Sequence, residues 1–196
     1  MDLAVFFKTE LAEHQAVARR TEAALSGVFA ELVRACVKSI RSGGKLMFFG
    51  NGGSAADAQH LATELTIRYK TSRAPIAAIA LTTDTSTLTA AGNDLGFDNI
   101  FARQIEALGR AGDIAIAIST SGKSANVISA LKQARAMGLV TAAFGGEGGG
   151  DMAGLADHLL AVPSGTVARV QEMHITLGQM LCAALEIELG LVSSPR

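Results

Sequence analysis

An excess of either charge is missing from this chain: 17 Lys and Arg stand against 18 Asp and Glu, a formal net charge of −1. That balance excludes the basic footprint expected of a nucleic-acid binder and the polybasic patch of a membrane-surface protein. Long apolar runs are missing too, the longest falling far short of the roughly 18–20 residues needed to cross a bilayer. The N-terminus, MDLAVFFKTELAEH, places Asp2 and Lys8 around its short apolar stretch and does not read as a signal peptide. Tryptophan is absent and tyrosine occurs once, so the apolar content rests on Ala, Leu, Val and Ile. Only Cys36 and Cys182 carry thiols; their spacing suits no metal, and both sit in apolar helical patterns. Two reduced, buried thiols in a cytoplasmic protein are expected. The dinucleotide fingerprint G-x-G-x-x-G and the phosphate loop G-x-x-x-x-G-K-[ST] are absent, which argues against a nucleotide cofactor. No internal repeat, low-complexity tract or interdomain linker is visible, and residues 1–196 read as one globular domain.

What is present falls into two regimes. Residues 2–42 are helical by period: Leu25, Val28, Phe29, Leu32, Val33, Cys36, Val37 and Ile40 form one stripe. Leu3, Phe6, Phe7, Leu11 and Val17 trace a similar stripe before it, giving two helices or one bent helix. An apolar face outside the repeating part of the chain must be covered, and residues 1–42 are expected to form a subunit interface, the alternative being that they fold back onto the domain. From residue 43 the pattern changes. Leu46–Phe49, Ile76–Leu81, Ile114–Ile118, Val140–Phe144 and His158–Val162 are short, uniformly apolar runs, as in parallel strands buried on both faces. Helical stretches alternate with them at 54–69, 97–109, 123–137 and 166–190, with a short turn near 150–156. The expected fold is α/β, a doubly wound, flavodoxin-like five-stranded parallel sheet with an N-terminal helical extension, ligands binding at the carboxyl ends of the strands. Ser193–Arg196 reads as a frayed end.

The loops after the strands carry the chemistry. Gly50-Asn51-Gly52-Gly53-Ser54 bends out of the first strand into a helix that places His60 and Glu64 four residues apart on one face. Glycines let backbone approach a ligand and a helix start offers free N–H groups to an anion, although such a loop also serves as a plain turn. Ser119, Thr120, Ser121 and Ser124 put four hydroxyls around Gly122 at the start of another helix, the stronger phosphate-binding signal. Thr82–Ser86 follows the second strand, where hydroxyls and Asn or Asp side chains suit a cap on the next helix, and Asp94 is expected in a loop where its carboxylate can accept hydrogen bonds from sugar hydroxyls. Gly145–Gly150 reads as a flexible connection. His174, alone on an apolar stripe, reads as a hydrogen-bonded core residue.

Five segments together resemble the SIS (sugar isomerase) domain family: GNGGSAADAQHLATEL (50–65), ALTTDTSTLTAAGND (80–94), FARQIEALGRAGD (101–113), ISTSGKSANV (118–127) and VPSGTVARVQEMH (162–174). Within the family the chain is most similar to the bacterial phosphoheptose isomerase branch. The resemblance implies aldose–ketose isomerisation of sedoheptulose 7-phosphate through an enediol, in heptose biosynthesis. It implies that Asn51, Gly52, Gly53, Ser54 and Gln171 contact substrate and that Ser119, Thr120, Ser121 and Ser124 hold its phosphate. Asn93 and Asp94 would bind sugar hydroxyls, and Glu64 would be the base that moves a proton between C1 and C2. It also implies a homotetramer with sites shared between subunits, and zinc held at the positions of His60, Glu64, Gln171 and Gln179.

One position departs from the family pattern. Where the family reads Q-E-x-H-x-x-x-x-H, this chain reads QEMHITLGQ, keeping His174 but placing Gln179 at the second histidine. An amide cannot shuttle a proton near neutral pH, and two amides make a weaker zinc site than imidazole and carboxylate. His60 is therefore the expected second acid/base in a metal-free site. The competing readings are a non-catalytic SIS protein that binds the replication initiator and an isomerase of another phosphosugar. The initiator-binding relative lacks the Glu at position 64 and has an altered glycine loop, so GNGGS and Glu64 favour an enzyme.

Overall fold

The computed structural model describes residues 1–193; the expected frayed end lies, from Ser194 onward, outside the described residues. The N-terminal region is one continuous helix, α1 (Leu3–Arg41), of 39 residues, about 58 Å long at 1.5 Å per residue. Asp2 caps it, its carboxylate accepting the N–H groups of Ala4 and Val5 at 2.9 and 3.2 Å. The second half of the stripe does what its period predicts: Leu25, Leu32, Val33, Cys36 and Val37 are buried, and Val28, Phe29 and Ile40 pack beside them. Leu3, Phe6, Phe7 and Leu11, at the other end of the same helix, stay exposed.

Strands β1 (Leu46–Gly50), β2 (Ala78–Ala80), β3 (Ile114–Ser119), β4 (Val140–Gly145) and β5 (His158–Ala161) form one parallel sheet in the order β2-β1-β3-β4-β5. The uniform apolarity of these runs has a simple cause. Alternate residues feed two cores: Leu46, Phe48, Ile114, Ile116 and Ile118 point to one, Met47, Phe49, Ala115 and Ala117 to the other. The first core is closed by α1, α2 (Gly53–Thr66) and α6 (Val167–Glu188). The second is closed by α4 (Ile100–Leu108), reached through a 3-10 turn at Phe97–Asn99, and by α5 (Ala125–Ala136).

Three expectations need correction. Asp94, expected in a loop, ends helix α3 (Thr85–Asp94), which has Asp84 as its cap accepting the Thr87 N–H at 3.0 Å. That backbone bond, joined by the Thr87 hydroxyl, holds the Asp84 carboxyl below its usual range. Only Ala91 of α3 is buried, so the segment had no apolar stripe to betray it. The second strand is three residues long, Ala78–Ala80, and the Ile76 N–H before it donates to the Leu65 carbonyl at 3.0 Å. The glycine segment after β4 is no loose connection. A Cβ at Gly146 would sit 2.4 Å from the Thr120 carbonyl oxygen, and one at Gly150 2.6 Å from that of Ser121. These glycines let two loop backbones touch.

Cys36 and Cys182 are free and buried, and burial pushes both thiols up to about 12. His174 is a core residue as expected: its Nε2 lies 3.1 Å from the Gly145 carbonyl. Burial pulls its pKa down, and that hydrogen bond opposes the shift only in part.

Candidate active site

Strands β1 and β3 are neighbours whose following helices leave in opposite lateral directions: α2 leads to β2 on one side, α5 to β4 on the other. Such a reversal opens a crevice at the carboxyl ends, where ligands bind in open parallel sheets. Gly50 lies opposite Ile118 in the register, so the glycine loop and the hydroxyl-rich loop emerge side by side.

In the hydroxyl loop, Ser119 is buried at the end of β3 and its Oγ lies 3.5 Å from that of Ser124. The same Oγ accepts the Gly122 N–H at 3.2 Å, and the Ser121 Oγ accepts the Lys123 N–H at 3.2 Å. Thr120 and Ser124 are half-buried and Ser121 is exposed, so the hydroxyls span the floor and rim of the crevice. Ser124 is the N-cap position of α5 but makes no cap bond with its side chain, which leaves that hydroxyl and the helix N-terminus available to an anion.

The glycine loop enters α2 through Gly52 at φ +55°, a conformation that disfavours any side chain. Asn51 does not stand alone. Its Nδ2 donates to Asn126 Oδ1 at 2.9 Å, and Asn126 Nδ2 donates back to Asn51 Oδ1 at 2.8 Å. Asn126 is buried on the first turn of α5, so this reciprocal amide bridge ties the two loops together. Sequence reading missed Asn126, whose signal was only its place two residues after Ser124. Beside Asn51 and Gly52 opens a cleft of about 180 Å³, walled by Leu88, Phe97, Ile100 and Phe101.

About two and three turns along α2, His60 and Glu64 meet, with His60 Nε2 3.0 Å from Glu64 Oε1. The His60 side chain is 45% exposed and that of Glu64 21%, so both face open space while sharing a hydrogen bond. Asp57, one turn before His60, is a further member that sequence reading missed. Burial raises its pKa, and the neighbouring His60 charge acts the other way.

Helix α6 brings Gln171 to the same region. A Cβ on Gly53 would come within 3.2 Å of Gln171 Nε2, so Gln171 stands over the glycine loop. Farther along, a Cβ on Gly178 would meet Leu61 Cδ1 at 2.5 Å. Gly178 therefore packs directly against Leu61 where α6 meets α2, and Gln179 follows it on α6, half-buried. Asn93 and Asp94 are the exceptions. They end α3, exposed, with Asn93 Nδ2 donating to Asp94 Oδ1 at 2.6 Å, and no bond joins them to the other site loops among the described residues.

The positions that the resemblance offers to zinc supply one imidazole, one carboxylate and two amides. Among the described residues no three His, Cys, Asp or Glu side chains gather as a metal site. Zinc favours imidazole, thiolate and carboxylate, and here the only two such groups are bonded to each other. The donor set does not fit a closed zinc site.

Comparison with known proteins follows the same lines. A family model described as SIS domain matches residues 11–146. A phosphoheptose isomerase of Paramagnetospirillum magneticum is 59% identical over 186 residues, covering 95% of this chain and 97% of that protein. The solved phosphoheptose isomerase of Neisseria gonorrhoeae superposes with a TM-score of 0.88 at 42% identity, covering 94% of this chain and 98% of the other. That of Francisella tularensis gives a TM-score of 0.90 at 35% identity with the same coverage.

Proposed function

The chain belongs to the SIS domain family, and from that premise we propose that it is an aldose–ketose isomerase converting sedoheptulose 7-phosphate to D-glycero-D-manno-heptose 7-phosphate. One observation carries the reading of the site. A hydroxyl-lined helix start and a glycine loop meet at the β1/β3 reversal, and the helix leaving the glycine loop presents a hydrogen-bonded His60–Glu64 pair.

In this scheme the substrate phosphate sits among Ser119, Thr120, Ser121 and Ser124 and the N-terminus of α5. The sugar then runs over Asn51–Ser54 and under Gln171, which brings its reacting end to α2. Fixing the phosphate converts binding into orientation of C1 and C2. Glu64 takes the C1 proton while the C2 carbonyl oxygen gains one, which gives the enediol. Glu64 then returns its proton to C2 as O1 loses its own, which leaves the aldose. The proton gained at O2 and the proton lost at O1 pass through His60, whose imidazole shares a hydrogen bond with Glu64 and can act as acid and as base.

The assembly is a homotetramer in this reading. Exposed Leu3, Phe6, Phe7 and Leu11 leave the first turns of α1 without cover. A cavity of about 410 Å³ between α1 and α6, lined by Leu25, Phe29, Met173 and Leu177, extends that apolar face. Asn93 and Asp94 would then serve a site completed across subunits. The unbridged thiols suit a reducing cytoplasm.

The test is Glu64→Gln assayed with a panel of ketose phosphates. Turnover of sedoheptulose 7-phosphate should fall at least about 10²–10⁴-fold, the usual worth of a general base, while the variant still binds the phosphosugar. A near-normal rate would remove Glu64 from the scheme, and preference for another ketose phosphate would replace the substrate.

A further inference from the structure

The helix that carries His60 and Glu64 ends badly by local rules. Its C-cap is Ile67, its last turn holds no Lys or Arg, and no glycine follows to fold the chain back over its final carbonyls. The missing cap comes from outside the helix. Arg73, in the segment leading to β2, turns its guanidinium back under the last turn of α2. Its Nη2 donates to the Glu64 carbonyl at 2.8 Å, and its Nη1 donates to the carbonyls of Leu65 at 2.6 Å and Ala74 at 3.0 Å. Its Nε donates to Glu186 Oε1 at 2.8 Å on α6, and that oxygen also accepts the Tyr69 N–H at 3.0 Å. The side chains of Arg73 and Glu186 are 1% and 3% exposed.

We infer that Arg73 and Glu186 form a positioning clamp for Glu64. The inference rests on Glu64 being the base of the reaction proposed above. The reasoning is geometric. A guanidinium is a flat fork with five donors in fixed directions, so one Arg can hold two helix carbonyls and a carboxylate at once; an ammonium cannot. Three elements thereby become one body: the last turn of α2, the segment 69–74, and α6, which also carries Gln171 and Gln179. Proton transfer between adjacent carbons needs the carboxylate placed closely, and a shift near 1 Å in a reacting group can cost on the order of 10²-fold in rate. Neither clamp residue faces the crevice, so neither is a catalytic residue. The phosphate loop lies on β3 and α5 and touches neither of them, so loosening the clamp should spare phosphate binding.

The experiment compares Arg73→Lys and Glu186→Gln with the native enzyme. The first keeps the charge and loses the fork. The second keeps the shape and an acceptor for Tyr69 but loses the charge that pairs with Arg73. For each, kcat and KM for sedoheptulose 7-phosphate are measured together with amide hydrogen exchange over residues 61–69 and 119–126. The clamp predicts that kcat falls about 10–100-fold while KM stays within about two-fold. Exchange should rise in 61–69 and hold steady in 119–126. Faster exchange in 61–69 with kcat unchanged would overturn the positioning role. Unchanged exchange in 61–69 would overturn the clamp itself. If exchange rises everywhere and KM moves with kcat in both variants, the pair is merely structural and the inference falls. Lack of turnover by the native enzyme would instead refute the substrate assignment, and the exchange comparison would still decide whether the clamp exists.

Discussion

Two glycines in the segment after β4 are required for different reasons, and substituting each by alanine separates those reasons. Gly146 has φ −82°, open to any residue, but its Cβ would lie 2.4 Å from the Thr120 carbonyl oxygen, in the hydroxyl-rich loop. Ordinary contact begins at 3.4 Å, so about 1 Å must be found by moving one backbone away from the other. Gly148 is the converse, with φ +71° and nothing within 4 Å of a Cβ. For Gly146→Ala the overpacking cost is about 1–3 kcal/mol. At roughly 2–4 °C per kcal/mol for a chain of this size, melting should fall by about 2–12 °C. Because the atom displaced belongs to Thr120, kcat/KM should also drop, by about 10–100-fold for a shift near 1 Å. Gly148→Ala bears only the left-handed backbone penalty, about 1–2 kcal/mol, and should leave kcat/KM within about two-fold. Thermal melts and steady-state kinetics on both variants make the comparison. If Gly146→Ala keeps normal kcat/KM, or if the two variants lose activity equally, the idea that this segment braces the hydroxyl-rich loop is refuted.

Asn126→Ala removes one half of the amide bridge and leaves Asn51 without its partner, at a cost of about 1–3 kcal/mol; melting should fall and KM should rise, and an unchanged melt would mean the bridge contributes nothing. Cys36 and Cys182 should resist a thiol reagent in the native protein at pH 8 and both react after denaturation, because burial holds their pKa values near 12. The same shift has a sign in stability. Above the unfolded value, near 9, unfolded thiols ionise while folded ones keep their protons, so their contribution is full below pH 9 and is lost as pH rises toward 12. Denaturant midpoints of the native chain should therefore fall more steeply between pH 9 and 12 than those of a Cys36→Ala, Cys182→Ala double variant, and native-state labelling of either cysteine would contradict the burial argument.

Much of this architecture was legible because it is written in local periods. A spacing of three and four announced α1 and α6, and continuous apolar runs announced strands with a core on each face. The site loops were legible for another reason: they follow strands and open helices, positions whose backbone groups are free to meet a ligand. Helix α3 was not legible, since a helix that buries only Ala91 has no stripe to read. Gly145–Gly150 was misread because composition cannot tell a glycine that supplies freedom from one that permits contact.

Taken alone, the sequence determined the alternation of strands and helices, the glycine and hydroxyl loops, and the His60/Glu64 pair, because each depends on residues a few positions apart. The tertiary structure decided which of these meet. Asn51 and Asn126 are 75 positions apart and Arg73 and Glu186 113 apart, and no local pattern encodes either pairing. Their physical cause is the same. Buried amides, carbonyls and charges must be satisfied by whatever the fold brings alongside, and only the packed chain specifies what that is.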